Sequence, residues 1–171
     1  MKFVSGSTGT ELLLLLIAFG LSMLIGLERQ LQQKSAGMRT HTLVGTGAAL
    51  FTLVSGFGFS TVLGTDVNLD PSRIAAQVVS GVGFLGAGVI FMRRDVVRGL
   101  TTAATIWMTA AIGMACGAGM PVLAAAATVL HLIAVGAFGH LARFLPSPDR
   151  HRAVRLRLDN DQCELGEKIT S

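Results

Sequence analysis

The chain places its ionisable and polar side chains in a few tight groups. Glu28-Arg29 and Arg39-Thr40-His41 flank one short loop. A carboxylate close to a helix C-terminus is electrostatically disfavoured, so Glu28 calls for a cationic partner: Arg29, Arg39 or His41. Together Glu28, Arg29, Arg39 and His41 form either an interfacial anchor or a docking or ligand site. A second group is Asp70-Pro71-Ser72-Arg73 followed by Gln77. Asp70 and Pro71 read as a helix N-cap and first turn. Arg73 and Gln77 share a face one turn apart, continued by Ser80 and Phe84. Two readings stand side by side: an interhelical hydrogen bond from Gln77, or an outward-facing polar pocket with Arg73 at its mouth.

Gly81-Val82-Gly83-Phe84-Leu85-Gly86-Ala87-Gly88 contains GxGxxG, the spacing of a dinucleotide loop. That chemistry requires a strand before the glycines and a helix after them. Here the motif sits inside the charge-free run 74–92, where an open phosphate-binding backbone would be unsatisfied. Gly81, Gly83, Gly86 and Gly88 therefore read as helix-packing positions, with a subunit contact on the same helix. Thr101 and Thr102 are expected to cap the next helix, and Thr105 and Thr109 to make helix contacts. The chain shows no HExxH, CxxC or Walker A motif and no Ser/His/Asp context. His131 and His140 have no acid or cysteine near them in sequence. No catalytic residue, metal site or cofactor is expected, and an enzyme is the least favoured class.

These groups must be held by apolar elements. Of 171 residues, 51% are hydrophobic and 14% charged, with a net charge of +4 and 21 glycines. A soluble domain carries about 25% charge, so these proportions disfavour a soluble enzyme and exclude a disordered chain. The charges leave four long gaps. A spanning helix needs ~20 apolar residues. The last gap, 99–142, would be about 66 Å long as one helix and must fold back at Gly117-Ala118-Gly119-Met120-Pro121. The expected fold is all-α: five transmembrane helices at about 11–28, 42–64, 72–92, 100–117 and 121–142. With the N-terminus outside and the C-terminus inside, 12 of the 14 Lys and Arg fall on the inner side. The positive charge is then a topology signal and not a nucleic-acid footprint.

Residues 1–145 are expected to be the membrane domain and 146–171 a cytoplasmic tail. The first helix is read as retained, since signal cleavage would leave Glu28–Arg39 outside. Val154-Arg155-Leu156-Arg157-Leu158 alternates apolar and basic residues, which reads as a short strand, so the tail is either a solvated basic arm or, the favoured reading, the opening strand of a soluble domain. The tail's basic cluster suits an anionic lipid surface. A homo-oligomer, a dimer first, is expected through the third or fourth helix.

Four blocks carry a resemblance: GLERQ, GMRTHTLVGTGAALF, DPSRIAAQVVSGVGFLGAGVI and GLTTAATIWMTAAIGM. In order and spacing, over roughly residues 10–140, they resemble the MgtC/SapB family of bacterial inner-membrane proteins. The resemblance implies a multi-pass hydrophobic domain, often followed by a small cytoplasmic α+β domain. It also implies a role in growth at low Mg²⁺, acid stress and survival inside host phagocytes. For some members it implies binding and inhibition of the F-type ATP synthase. MgtC-type members carry Asn, tied to partner binding, where this chain has Thr101, so the chain looks closer to the SapB-type branch. The expected function is a non-enzymatic membrane regulator working by helix contact with a partner complex. A small-ion or solute transporter or channel, linked to Mg²⁺ or protons, is the alternative.

Overall fold

The computed structural model describes residues 6–58, 70, 72–93 and 96–141. The expectations for the second helix beyond residue 58, for Pro71 and for the tail strand lie outside those residues. In chain order the elements are α1 (Gly6–Leu31), α2 (Met38–Leu53) continued by a π-helical stretch (Val54–Gly58), and α3 (Ser72–Gly88). A hairpin of β1 (Phe91–Arg93) and β2 (Val96–Arg98) leads to α4 (Leu100–Gly117) and α5 (Pro121–Leu141). The five helices begin within about five residues of the expected places, and α4 matches at both ends. Two of them, α1 and α4, are long and apolar enough to cross a membrane.

The chain divides into two units, Met1–Ala134 and Val135–Ser171. Within the first, α4 packs against α1, α2 and α3, and α1 packs against α2. One apolar cluster joins Ala18 and Ile25 of α1, Ala49 of α2, Ile112 and Cys116 of α4 and Ala124 of α5. A second joins Ala48, Val82, Ile106 and Ala110 of α2, α3 and α4 with Ala36 of the α1–α2 loop. Of the second unit, the described part is the last turns of α5.

The α2–α4 seam is set by glycine. A Cβ on Gly113 would lie 2.0 Å from the Gly45 carbonyl oxygen, and one on Gly117 would lie 2.5 Å from that of Ala49. Gly113 and Gly117 form a GxxxG pair, the spacing that lets two backbones touch in a membrane. Across α1 and α2, a Cβ on Gly26 would fall 2.6 Å from Met38 Cα.

Several expectations are corrected here. The third helix stops at Gly88, not 92, because Phe91–Arg93 turns away to pair antiparallel with Val96–Arg98. This hairpin is a short departure from an all-helical domain. The fourth helix is capped by Gly99, not by Thr101 or Thr102, with no side-chain cap bond. Gly99 has φ +93°, and a Cβ there would sit 1.9 Å from the Val89 carbonyl oxygen, so close approach selects glycine over a threonine cap. Likewise α2 starts at Met38 after Gly37, four residues before the expected start at 42. The Gln30 side-chain carbonyl accepts the Met38 N–H at 3.3 Å.

Of the four α3 glycines, Gly86 is the one that faces a neighbouring helix among the described residues. A Cβ on Gly86 would lie 3.6 Å from Ala103 Cβ, whereas one on Gly81, Gly83 or Gly88 would meet nothing within 4 Å. The reason is register. Val82 and Gly86 form the buried stripe of α3 against α4, and the other three glycines lie off it.

Candidate functional site

The Glu28 group is built on the last turns of α1. Ala18, Ser22, Ile25 and Arg29 recur at helical spacing and are fully or almost fully buried, so one stripe of α1 carries a guanidinium into the interior. Arg29 is 1% exposed and Glu28 20%. The guanidinium donates from Nε to Glu28 Oε2 at 2.5 Å and from Nη2 to Glu28 Oε1 at 2.8 Å, a two-point contact. Nη2 also donates to Gln32 Oε1 at 3.0 Å, and the Gln32 amide donates back to Glu28 Oε1. Of the three partners considered for Glu28, Arg29 is the one it takes. Arg39 is exposed.

His41 enters the same interior from the first turn of α2 and is fully buried. Its Nδ1 lies 2.9 Å from the Gly37 carbonyl oxygen, which only accepts, so Nδ1 carries the hydrogen. His131, 8% exposed, arrives from α5 on the stripe of Ala124 and Thr128. It lies within electrostatic reach of Arg29, Glu28 and His41. Sequence reasoning set His131 aside because its neighbours in the chain are apolar. The available signal was its spacing from Ala124 and Thr128 on one stripe, but no spacing names the helix that stripe will face. Its Nε2, together with His41 Nε2 and Ser22 Oγ, is buried without a hydrogen-bond partner among the described residues.

The Arg73 group behaves differently. Asp70 is the expected cap: its Oδ1 accepts the Ser72 N–H at 3.1 Å and the Ser72 hydroxyl at 2.5 Å. Those two bonds, the hydroxyl first, hold its carboxyl below the usual carboxylate range. Arg73 pairs with Asp70 at 3.5 Å on the exposed surface. Gln77 instead lines a cavity of about 640 Å³ between α2 and α3, among Leu43, Val44, Phe51, Ile74 and Val78. The expected polar pocket is thus an apolar groove, with Arg73 outside its lining and Gln77 as its one amide. Gly47 and Gly81 stand on its two walls.

On α4, Thr105 and Thr109 are buried, and their hydroxyls donate to the Thr101 and Thr105 carbonyls at 2.8 Å. Their methyl groups are left for packing, and Thr109 Cγ2 would stand 3.2 Å from a Cβ on Gly45. Thr102 is buried and accepts from Ser35 Oγ at 3.5 Å, tying the α1–α2 loop to the start of α4. Thr101 is exposed. Among the described residues no group of three or more His, Cys, Asp or Glu side chains is placed to hold a metal ion.

The MgtC family profile matches residues 15–144, from within α1 to past the end of α5. The chain belongs to the MgtC family. It is 53% identical over 133 residues to the putative magnesium transporter YhiD of Escherichia coli K12, covering 77% of this chain and 62% of that one. It is also 53% identical over 120 residues to protein MgtC of Brucella abortus, covering 70% of this chain and 47% of that one. Protein MgtC of Salmonella typhimurium is 52% identical over 120 residues, covering 70% and 48%. The chain thus spans about half to three fifths of the length of these curated relatives. No solved structure matches it. Membership of the MgtC family, with the apolar helices, makes this a membrane protein. The Glu28–Arg29 pair, His41, Gln77 and His131 all lie inside the part matched to the MgtC family.

Proposed function

We propose that the chain is a non-enzymatic regulator of the bacterial inner membrane, serving Mg²⁺-related stress adaptation by helix contact with a partner complex. The observation that carries this reading is the open side of α3. Phe84 is 83% exposed, Gly81 and Gly83 have free space where a side chain would be, and the adjoining groove is apolar. A face with small residues beside a large aromatic suits the close approach of another membrane helix. The F-type ATP synthase is the first partner to test. Its support is the family resemblance as a whole, from which the chain departs at the start of α4, where the exposed Thr101 stands in place of the partner-binding Asn. A second copy of this chain is the other occupant considered, as a dimer across α3. The relation to Mg²⁺ is supported by the name of the YhiD relative.

The test is co-purification of the full chain with F-type ATP synthase from native membranes, together with ATP-driven proton pumping in inverted vesicles. Association and reduced pumping are expected, both lost in Gly83→Leu while the variant stays monodisperse. Intact pumping with no association overturns the partner assignment. Disulfide crosslinking of Gly83→Cys in a Cys163→Ser background tests the dimer, since Cys116 is buried.

The transporter reading draws on Gln77, a hydrogen-bonding side chain in an apolar groove. Polar groups inside a membrane often mark a solute path. Mg²⁺ flux into proteoliposomes that disappears in Gln77→Leu would establish it, and absence of flux would remove it.

A further inference from the structure

The cavity of about 640 Å³ between α2 and α3 follows α3 from Ile74 to Leu85, about three helical turns. Its walls are apolar apart from the Gln77 amide. Gly47 and Gly81 widen it, since a Cβ on either would meet nothing within 4 Å. A helix over the same length would fill roughly 1,500 Å³. The space therefore takes a thinner, flexible apolar chain and not a whole helix.

Three polar groups stand in order at one end of this cavity. Asp70 precedes α3, Arg73 lies in its first turn, and Gln77 comes one turn later. Residues 74–92 carry no charge. With α3 across the membrane, Arg73 sits at the polar boundary and Gln77 about 6 Å inside it, a distance close to the thickness of the headgroup layer. Gln77 is exposed and lines the cavity. An amide in an apolar layer is costly until a hydrogen bond satisfies it. Arg73 and Asp70 are 85% and 52% exposed, and their 3.5 Å contact runs through Arg73 Nε. The two terminal nitrogens of Arg73 are left to grip a phosphate. The Asp70 carboxylate beside them repels a bare anion and attracts an ammonium group.

We propose that this groove binds one glycerophospholipid with a primary-amine headgroup, phosphatidylethanolamine. The ammonium meets Asp70 and the phosphate meets Arg73. The Gln77 amide donates to an ester carbonyl, and an acyl chain fills the space among Leu43, Phe51, Val78 and Leu85. The order of these four contacts along α3 is the order of the groups along the lipid. Phosphatidylglycerol shares the phosphate, the esters and the chains but offers Asp70 no cation. The site rests on α3 crossing the membrane. It is independent of what meets Phe84, which lies outside the cavity lining.

The experiment is native mass spectrometry of the full chain in detergent, titrated with palmitoyl-oleoyl phosphatidylethanolamine or phosphatidylglycerol. One phosphatidylethanolamine per chain is expected, bound more tightly than phosphatidylglycerol. Arg73→Gln should weaken both lipids about tenfold, and Gln77→Leu about fivefold. Asp70→Asn keeps a good helix cap and should erase the preference between the headgroups. Gly47→Leu should block the acyl chain, whereas Gly83→Leu, on the face left to a partner, should bind lipid as the unmodified chain does. Glycerophosphoethanolamine, the same headgroup without acyl chains, should not compete. Equal binding of the two lipids by the unmodified chain would overturn the proposal. So would phosphatidylethanolamine binding unmoved by Arg73→Gln or by Gly47→Leu, or full competition by the chainless headgroup. A lipid-free dimer that Gly47→Leu dissociates would give the groove to a second copy of the chain instead.

Discussion

Arg29 concentrates the energetic risk of this bundle in one side chain. A guanidinium removed from water is stabilised only while its partners hold their geometry. Truncating Arg29 leaves the Glu28 carboxylate at a helix C-terminus with no cation, unfavourable for both burial and the helix dipole. Arg29→Met should therefore destabilise the protein by about 3 kcal/mol. The double variant with Glu28→Gln should recover most of that loss, because no unpaired charge remains. Thermal unfolding of both in the same detergent checks it, and equal destabilisation of the two would argue against a coupled pair. The sequence makes an acid-base contact at Glu28 legible through the helix-end argument. It does not rank Arg29 above Arg39, since burial follows from which stripe of α1 faces α2 and α5.

Glycines on two helices have opposite meanings. On α4, Gly113 and Gly117 are places where the α2 backbone occupies the space of a side chain. On α3, Gly81, Gly83 and Gly88 border open space. Gly113→Ala should cost about 2 kcal/mol by overpacking. Gly83→Ala should be neutral, or gain about 1 kcal/mol from helix propensity. Unfolding of the purified variants separates the two, and similar losses at both positions would contradict the seam. The more conspicuous motif, GxGxxG, is the less packed one within this chain. The plainer GxxxG holds two helices together. Both patterns are visible in the sequence, but neither says whether a neighbour lies opposite, because small residues permit contact without producing it.

Charge alone carries the expectation that the basic residues lie on the inner side, and the Ser35–Thr102 contact puts the α1–α2 loop and the start of α4 at one end of the bundle, leaving the side to a labelling test. With five spans and the C-terminus inside, a cysteine at Gln33 should be shielded from an impermeant thiol reagent in intact cells. One at Gly119 should be labelled. Reversed labelling would invert the topology, and labelling of both would break the span count.

Helix existence and the α4–α5 break can be read from hydropathy, glycine and proline because those signals are local: a charge-free run is apolar wherever it folds, and Gly119 and Pro121 bend and restart the backbone themselves. Asp70 as a cap belongs to the same class, since its partner Ser72 is two residues away. The end of α3 falls four residues short of the expected one because Val89-Ile90-Phe91-Met92 is as apolar as the helix before it, and hydropathy does not distinguish a helix from the start of a strand. His131 beside Glu28, Arg29 and His41 came from folding alone. A hundred residues separate the acid from that imidazole, and periodicity marks a buried stripe without naming the helix that buries it.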